Sequence, residues 1–145
     1  MSLVGSLLRA VLAEPLAPFR QLPSMEVIHA HLHAQMAMET AEQFRVIFIG
    51  ADRHLLAEEI ISRGTIDETM MPPREIVQRA LQLGASGLIL AHNHPSGSCA
   101  PSEADVRLTR ELSQICGGLK IRVVDHIIIA RPGCFSMFEH GYLST

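Results

Sequence analysis

The stretch GLILAHNHPSGSCAPSEAD, residues 87–105, decides how the rest of the chain is interpreted. Its first five residues, Gly87–Ala91, are short and wholly apolar, which is typical of a buried central strand. Pro-Ser-Gly at 95–97 then forces a turn, and Ser102 is a good N-cap for a helix. The stretch therefore predicts a strand, a tight loop and a helix whose first turn returns over the strand end.

Two histidines and one carboxylate in this stretch form a candidate metal site. His92 and His94 alternate where the strand ends, so on an extended backbone both side chains point to one face. Asp105 lies one turn into the helix, where the loop can bring its carboxylate back over the strand. Two histidines and one carboxylate leave a fourth tetrahedral position for water, which is the mark of a catalytic zinc site.

The same residues also have purely structural interpretations. H-x-H alone is a weak signal that two core histidines would satisfy. Ser102 and Asp105 fit a helix capping box that needs no metal. The order and spacing of all four residues together, H-x-H-x(7)-S-x(2)-D, favour the metal site.

The flanking sequence predicts helices and strands in mixed order. Before the quoted stretch it predicts a helix over Leu3–Ala13, a Pro-rich linker over Glu14–Pro23, a helix over Met25–Met38, strands over Phe44–Gly50 and Leu55–Ser62, and a helix from Pro72 to Leu83. After Ser102 it predicts a helix to about Cys116 and strands over Ile121–Ala130 and Cys134–Phe138. The fold class is therefore α/β, with a mixed sheet flanked by helices.

Composition indicates a globular chain. Of its 145 residues 48% are hydrophobic and 19% charged, and the net charge is −3. The 12 Lys and Arg residues form no cluster, so direct binding of nucleic acid is not expected. Three cysteines without a C-x-x-C pair argue against a disulfide framework and favour a reducing, cytoplasmic location. No apolar run reaches the roughly 20 residues of a membrane span, and the N-terminus lacks signal-peptide features.

Beyond this pattern, the chain resembles known families. H-x-H-x(7)-S-x(2)-D is similar to the JAMM signature of MPN+/JAB1 metalloproteases, and PPREI, ALQLGASGLILAHNHPSG, PSEAD and DHIII resemble the bacterial RadC family. The resemblance runs from about Ala41 to Tyr142 and implies a JAB/MPN-like fold with a cytidine-deaminase-like three-layer arrangement. We expect residues 1–40 to be an N-terminal helical segment and linker without a complete helix-hairpin-helix module. Residues 41–145 would then be the RadC/JAMM-like metallohydrolase domain.

The resemblance implies a role for each residue of the motif. His92, His94 and Asp105 match the ligands of one zinc ion. Ser102 matches the serine that steadies the tetrahedral intermediate. Asn93, between the histidines, is RadC-like, whereas eukaryotic JAMM proteins favour Ser or Thr there.

The JAMM pattern also needs an upstream glutamate as general acid and base. Glu42, at the start of a predicted strand, fits this place, and Glu39 and Glu75 are its alternatives. The implied reaction is hydrolysis of a peptide or isopeptide bond in a peptide or protein substrate. Zinc lowers the pKa of its water, Glu42 passes the proton to the leaving amine, and zinc and Ser102 hold the oxyanion.

Other functions compete with this hypothesis. A non-enzymatic MPN-fold scaffold, serving DNA repair or another complex, is the main alternative, and the presence of every metal residue disfavours it. A zinc deaminase would need H-x-E and P-C-x-x-C, which the chain lacks. The sequence leaves the oligomeric state and the physiological substrate open.

Several further residues have the chemistry of metal ligands. His29, His31 and His33 alternate in the second predicted helix, where a solvated helix surface is the favoured interpretation. Asp125-His126 lies inside an apolar strand, as a hydrogen-bonded sheet pair or as support for the metal ligands. Cys99 lies in the site loop, as an inhibitory ligand or a small half-buried side chain.

Overall fold

The computed structural model describes residues 20–64 and 73–144. Its elements are β1 (Arg20–Gln21), α1 (Met25–Met36), β2 (Gln43–Ile49), a 3-10 turn (Ala51–Arg53), β3 (His54–Arg63), α2 (Pro73–Leu83), β4 (Gly87–Asn93), α3 (Glu103–Gly118), β5 (Arg122–Ala130) and β6 (Gly133–Ser136). This order confirms the predicted α/β class. The predicted helix over Leu3–Ala13 and most of the predicted linker lie outside the described residues.

The six strands form one mixed sheet in the order β1-β3-β2-β4-β5-β6. Only β4 and β5 are parallel among the paired strands of the described chain, and α3 makes the crossover between them. All seven residues of β4 are buried, as its apolar sequence predicts. The strand that carries the first site histidine is therefore held between two others and covered on both faces.

The two faces of the sheet carry separate hydrophobic cores. On one face, α1 packs Ile28, Leu32 and Met36 against isoleucines of β2, β4 and β5. On the other face, α2 and α3 pack a second cluster that includes Phe44 and Leu112. Helices on both sides of a mixed sheet make three layers.

Helix α1 is part of this packed unit. Ile28, Leu32 and Met36 have no exposed surface, and Ser24 caps the helix by accepting a hydrogen bond from the Val27 N–H at 3.3 Å. The predicted domain boundary at residue 41 falls between α1 and β2. Helix α1 therefore precedes the predicted domain in sequence, although it covers one face of the sheet.

Several elements end one or two residues from their predicted limits. β4 extends past Ala91 to Asn93, because His92 pairs with both neighbouring strands and Asn93 with β5. β6 ends at Ser136 instead of Phe138, because the backbone beyond it turns and Met137 N–H bonds to His126 O at 3.0 Å. α1 ends at Met36 instead of Met38.

No helix within residues 20–64 and 73–144 has the length and apolar character needed to cross a membrane. The thiols of Cys99, Cys116 and Cys134 are all free.

We expect Leu32→Ala to lower the free energy of unfolding by about 2–5 kcal/mol, because it opens a cavity between α1 and the sheet. Val27→Ala is the matched control, since Val27 lies in the same helix with 43% of its surface exposed. Its cost should stay below about 0.5 kcal/mol. Urea denaturation measures both. Equal, small effects would mean that α1 is an appendage that the fold does not need.

Candidate metal centre

The end of β4 presents two histidines on one face of the sheet. His92 lies in β4 and His94 directly follows it, and the His94 N–H continues the ladder to Ile129 O at 2.8 Å. The strand alternation brings the two imidazole centroids to 4.9 Å with the rings nearly perpendicular. His92 is 8% exposed, so its ring is largely withdrawn from water.

A tight loop and a helix cap bring the third predicted ligand to the histidines. Gly97, at φ +95°, makes the turn that a residue with a Cβ rarely adopts, and its N–H bonds to His94 O at 3.0 Å. At the start of α3, Ser102 Oγ accepts from the Asp105 N–H at 3.0 Å, and the Ser102 N–H donates to Asp105 Oδ2 at 2.8 Å. This capping box fixes the Asp105 side chain at the helix start.

The Asp105 carboxylate joins the whole centre. His92 Nδ1 lies 3.1 Å from Oδ1 and His94 Nε2 lies 3.1 Å from Oδ2. Burial alone would raise the pKa of Asp105, but hydrogen bonds from both histidines and from the Ser102 N–H hold that pKa far below its ordinary value. The structure thus brings together the three residues that the sequence proposes as metal ligands.

His94 is held in a defined orientation by both ring nitrogens. Its Nδ1–H donates to Ser98 O at 2.9 Å, while Nε2 faces Asp105. The hydrogen bond to Asp105 raises the pKa of His94. A backbone carbonyl that fixes Nδ1–H leaves Nε2 as the nitrogen for a metal, which is the usual support for a histidine ligand.

His126 joins the centre from β5, although the sequence pattern did not place it among the metal ligands. It has no exposed surface, and His92, Asp105 and His126 offer ligand atoms within 4.8 Å of one another. Thr109 Oγ1 donates to Asp105 O at 2.6 Å, so at His126 Nδ1, 2.7 Å away, it accepts. His126 is therefore the Nδ1–H tautomer, and burial lowers its pKa to about 4. The only sequence signal for it was a polar Asp-His pair in an apolar strand.

The two members of that pair serve opposite faces of the sheet. Asp125 accepts hydrogen bonds from Ser136 Oγ at 2.6 Å, from the His126 N–H at 2.7 Å and from the Phe138 N–H at 3.0 Å. Asp125 therefore ties β5 to β6 and to the turn after β6, while the His126 ring faces the candidate metal centre.

The donor set fits a zinc ion. Nε2 of His92 and Nε2 of His126 are buried without a hydrogen-bond partner in the described chain. Buried polar atoms are nearly always paired, and imidazole nitrogens with a carboxylate are zinc ligands. Phe44 packs against both rings, with centroids at 5.9 Å from His92 and 5.8 Å from His126, and keeps the floor of the centre apolar.

Glu42 lies at the mouth of the centre. Its Oε2 is 3.7 Å from His92 Nε2, and its side chain is 35% exposed. Glu39 and Glu75 are exposed, and neither forms an ion pair with a site histidine in the described structure. Ser102, whose oxygen caps α3, keeps its hydroxyl hydrogen for a further partner.

The other metal-ligand types lie elsewhere. The expectation that the α1 histidines form a solvated surface is wrong for His31, which is 1% exposed and bonds Glu58 at 2.8 Å across the α1–sheet interface. His33 Nε2–H donates to Arg131 O at 3.0 Å. The Cys99 thiol donates to Gly133 O at 3.3 Å, which ties the site loop to the β5–β6 turn.

Comparison with known proteins confirms the resemblance to the RadC family. The sequence pattern of the RadC-like JAB domain matches residues 22–142, and the chain belongs to that family. A UPF0758 protein of Pseudomonas entomophila (strain L48) is 44% identical over 117 residues, which are 81% of this chain and 52% of the relative. The chain thus spans about half the length of this curated relative. Neither description names a reaction.

In the metal-free protein, we expect two histidines to give opposite pH dependences of stability. The pKa of His94 is raised from 6.5, so its stabilisation is complete below pH 6.5 and is lost as the pH rises through the raised pKa. The pKa of His126 is lowered to about 4, so stability falls as the pH falls from 6.5 toward about 4.

Urea denaturation of the chelated protein between about pH 4 and pH 9 tests this expectation. His94→Ala should flatten only the alkaline side of the profile, and His126→Asn only the acidic side. Identical changes in both variants would contradict the assigned protonation states.

Proposed function

We propose that this chain is a zinc-dependent hydrolase of the JAMM type that cleaves peptide or isopeptide amide bonds. One observation carries the proposal: two imidazoles share the buried Asp105 carboxylate, and the unpartnered Nε2 of one of them faces a glutamate at 3.7 Å. This is the arrangement of ligands and base that zinc hydrolysis requires.

His92, His94 and Asp105 would hold the metal. Zinc bound there would supply a Lewis acid and lower the pKa of a water molecule from 15.7 toward about 7. The orientation of His94 by Ser98 O supports this ligand set over one with His126. His126, as a neutral and buried ring, would line the inner wall of the centre.

Glu42 would move the protons of the reaction. A carboxylate that is 35% exposed and close to His92 is able to take a proton from water and release it to a leaving amine. Ser102 would donate its hydroxyl hydrogen to the oxyanion, and one such donor is worth about 10²–10³ in rate. Its Oγ already accepts from the Asp105 N–H, which leaves the hydroxyl hydrogen available for the substrate.

We expect the substrate to be a peptide or a protein. Ser102 also lines a depression of about 310 Å³, together with Val106, Arg107 and Arg110 of α3. A cytoplasmic location is part of the proposal, since all three cysteines are free thiols.

We expect one zinc per chain after mild chelation, dialysis and reloading of tag-free protein, measured by elemental analysis. His94→Ala should lose it. The matched control His33→Ala, at a half-buried histidine of α1 whose Nε2–H donates to Arg131 O, should keep it. Asp105→Asn keeps an oxygen for the helix cap but loses the charge, so zinc affinity should fall at least about 100-fold.

Three outcomes would change the conclusion. Zinc lost in His126→Asn but kept in His94→Ala would replace the ligand set by His92, Asp105 and His126. Zinc kept in His94→Ala and in His126→Asn but lost in His33→Ala would mean binding at the α1 histidines. Folded wild-type protein that binds no zinc would favour a non-enzymatic scaffold.

We expect Glu42→Ala to keep the fold and the zinc but to lower kcat on a hydrolysed amide substrate by about 10²–10⁴-fold, because the proton acceptor is lost. Glu39→Ala is the matched control, three residues away and exposed. Turnover by a panel of peptide and isopeptide substrates measures the effect. Unchanged turnover in Glu42→Ala would move the base to Glu39 or Glu75.

A further inference from the structure

Asn93, the residue between the two site histidines, faces away from the candidate metal centre. It is 2% exposed, and the alternation of the strand puts its side chain on the α1 side of the sheet. Its amide makes two hydrogen bonds to main chain: Oδ1 accepts from the Gln43 N–H at 2.6 Å, and Nδ2 donates to Ala41 O at 3.0 Å. Both groups flank Glu42.

These bonds continue the sheet where its backbone pairing stops. The last β2–β4 pair is Phe44 with His92. Beyond it, the Asn93 side-chain amide supplies one acceptor and one donor, as a strand peptide would. From the other side, Gly64 N–H bonds to Glu42 O at 3.0 Å. The main chain at Glu42 is thus held from both neighbouring strands.

The Glu42 carboxylate itself has no hydrogen bond in the described structure, and its closest charged neighbour is His92 at 3.7 Å. Its position is therefore set by the backbone that carries it. That backbone lies before the first residue of β2, where a chain would otherwise fray. Removal of the Asn93 amide would free Ala41 O and leave the buried Gln43 N–H without a partner.

We infer that Asn93 is a positioning residue, which holds Glu42 at a fixed distance from the histidines on either side of Asn93 in the chain. The functional part of this inference rests on the proposed hydrolysis. We call the two hydrogen bonds of the Asn93 amide the clamp. His92, Asn93 and His94 are consecutive, so the strand segment that carries the two histidine ligands also holds the backbone of the base. A displacement of about 1 Å at such a site costs about 10²-fold in rate.

Asn93→Ala and the near-isosteric Asn93→Leu, which both remove the amide without adding a charge, test the inference. The matched control is Ser136→Ala, which removes a buried side-chain hydrogen bond on the same face of the sheet, at Asp125. We expect the Asn93 variants to keep one zinc per chain and an unchanged KM while kcat falls by about 10–100-fold. Ser136→Ala should keep the wild-type kcat.

A double variant separates positioning from general destabilisation. In a Glu42→Ala background, Asn93→Ala should lower kcat no further, because residues that act as one unit are non-additive. A further fall of the same size as in the wild-type background would overturn the inference.

Hydrogen exchange tests the clamp without reference to activity. The Gln43 amide should exchange at least about tenfold faster in Asn93→Ala, while amides of β5 and β6 stay protected. Unchanged protection at Gln43, or loss of zinc as large as in His94→Ala, would overturn the clamp. If wild-type protein hydrolyses no substrate, the proposed function fails, and the exchange result still decides whether Asn93 holds the chain at Glu42.

Discussion

The Asp105 carboxylate is the contact on which the rest of the site depends. Its two oxygens accept hydrogen bonds from His92 of β4, from His94 in the loop after β4 and from the N–H of Ser102 at the start of α3. Three separate segments of chain therefore meet at one buried charge. The sequence offered helix cap and metal ligand as alternatives for this residue, but the geometry shows that they are compatible. The cap fixes the side chain in the place from which it reaches both histidines.

Strand alternation explains how three consecutive residues divide their tasks. In His92-Asn93-His94 the outer residues face the helices α2 and α3, and the middle one faces α1. A helix would spread these side chains around its circumference and lose that division. The continuation of β4 past its apolar residues is thus a structural requirement of the site, since His92 and Asn93 are still paired with neighbouring strands. The backbone of His92 and Asn93 is held by pairing with neighbouring strands. The same residues in an exposed loop would lack these hydrogen bonds.

The features that the sequence predicted well are those encoded by neighbouring residues. The α/β class, the buried β4 and the meeting of His92, His94 and Asp105 all follow from apolar runs, turn residues and a short spacing. The features it missed or left open depend on contacts between a helix and the sheet. His31 becomes buried because Glu58 of β3 lies opposite it, and His126 enters the centre through Thr109, 17 residues away in sequence. The alternating histidines of α1 cannot reveal such partners, because the local sequence is the same whether a histidine faces water or pairs with a residue of another element.

The cost of the buried His92 nitrogen supports the proposed metal ion. Its Nε2 has no hydrogen-bond partner within the part of the chain that the structure describes, and such an unpaired atom costs about 1–3 kcal/mol. A domain is stable by only about 5–15 kcal/mol, so this one atom would consume a noticeable part of that margin. A metal ion that pairs with a bare imidazole nitrogen would offset the cost, and its binding energy would then add to the free energy of folding.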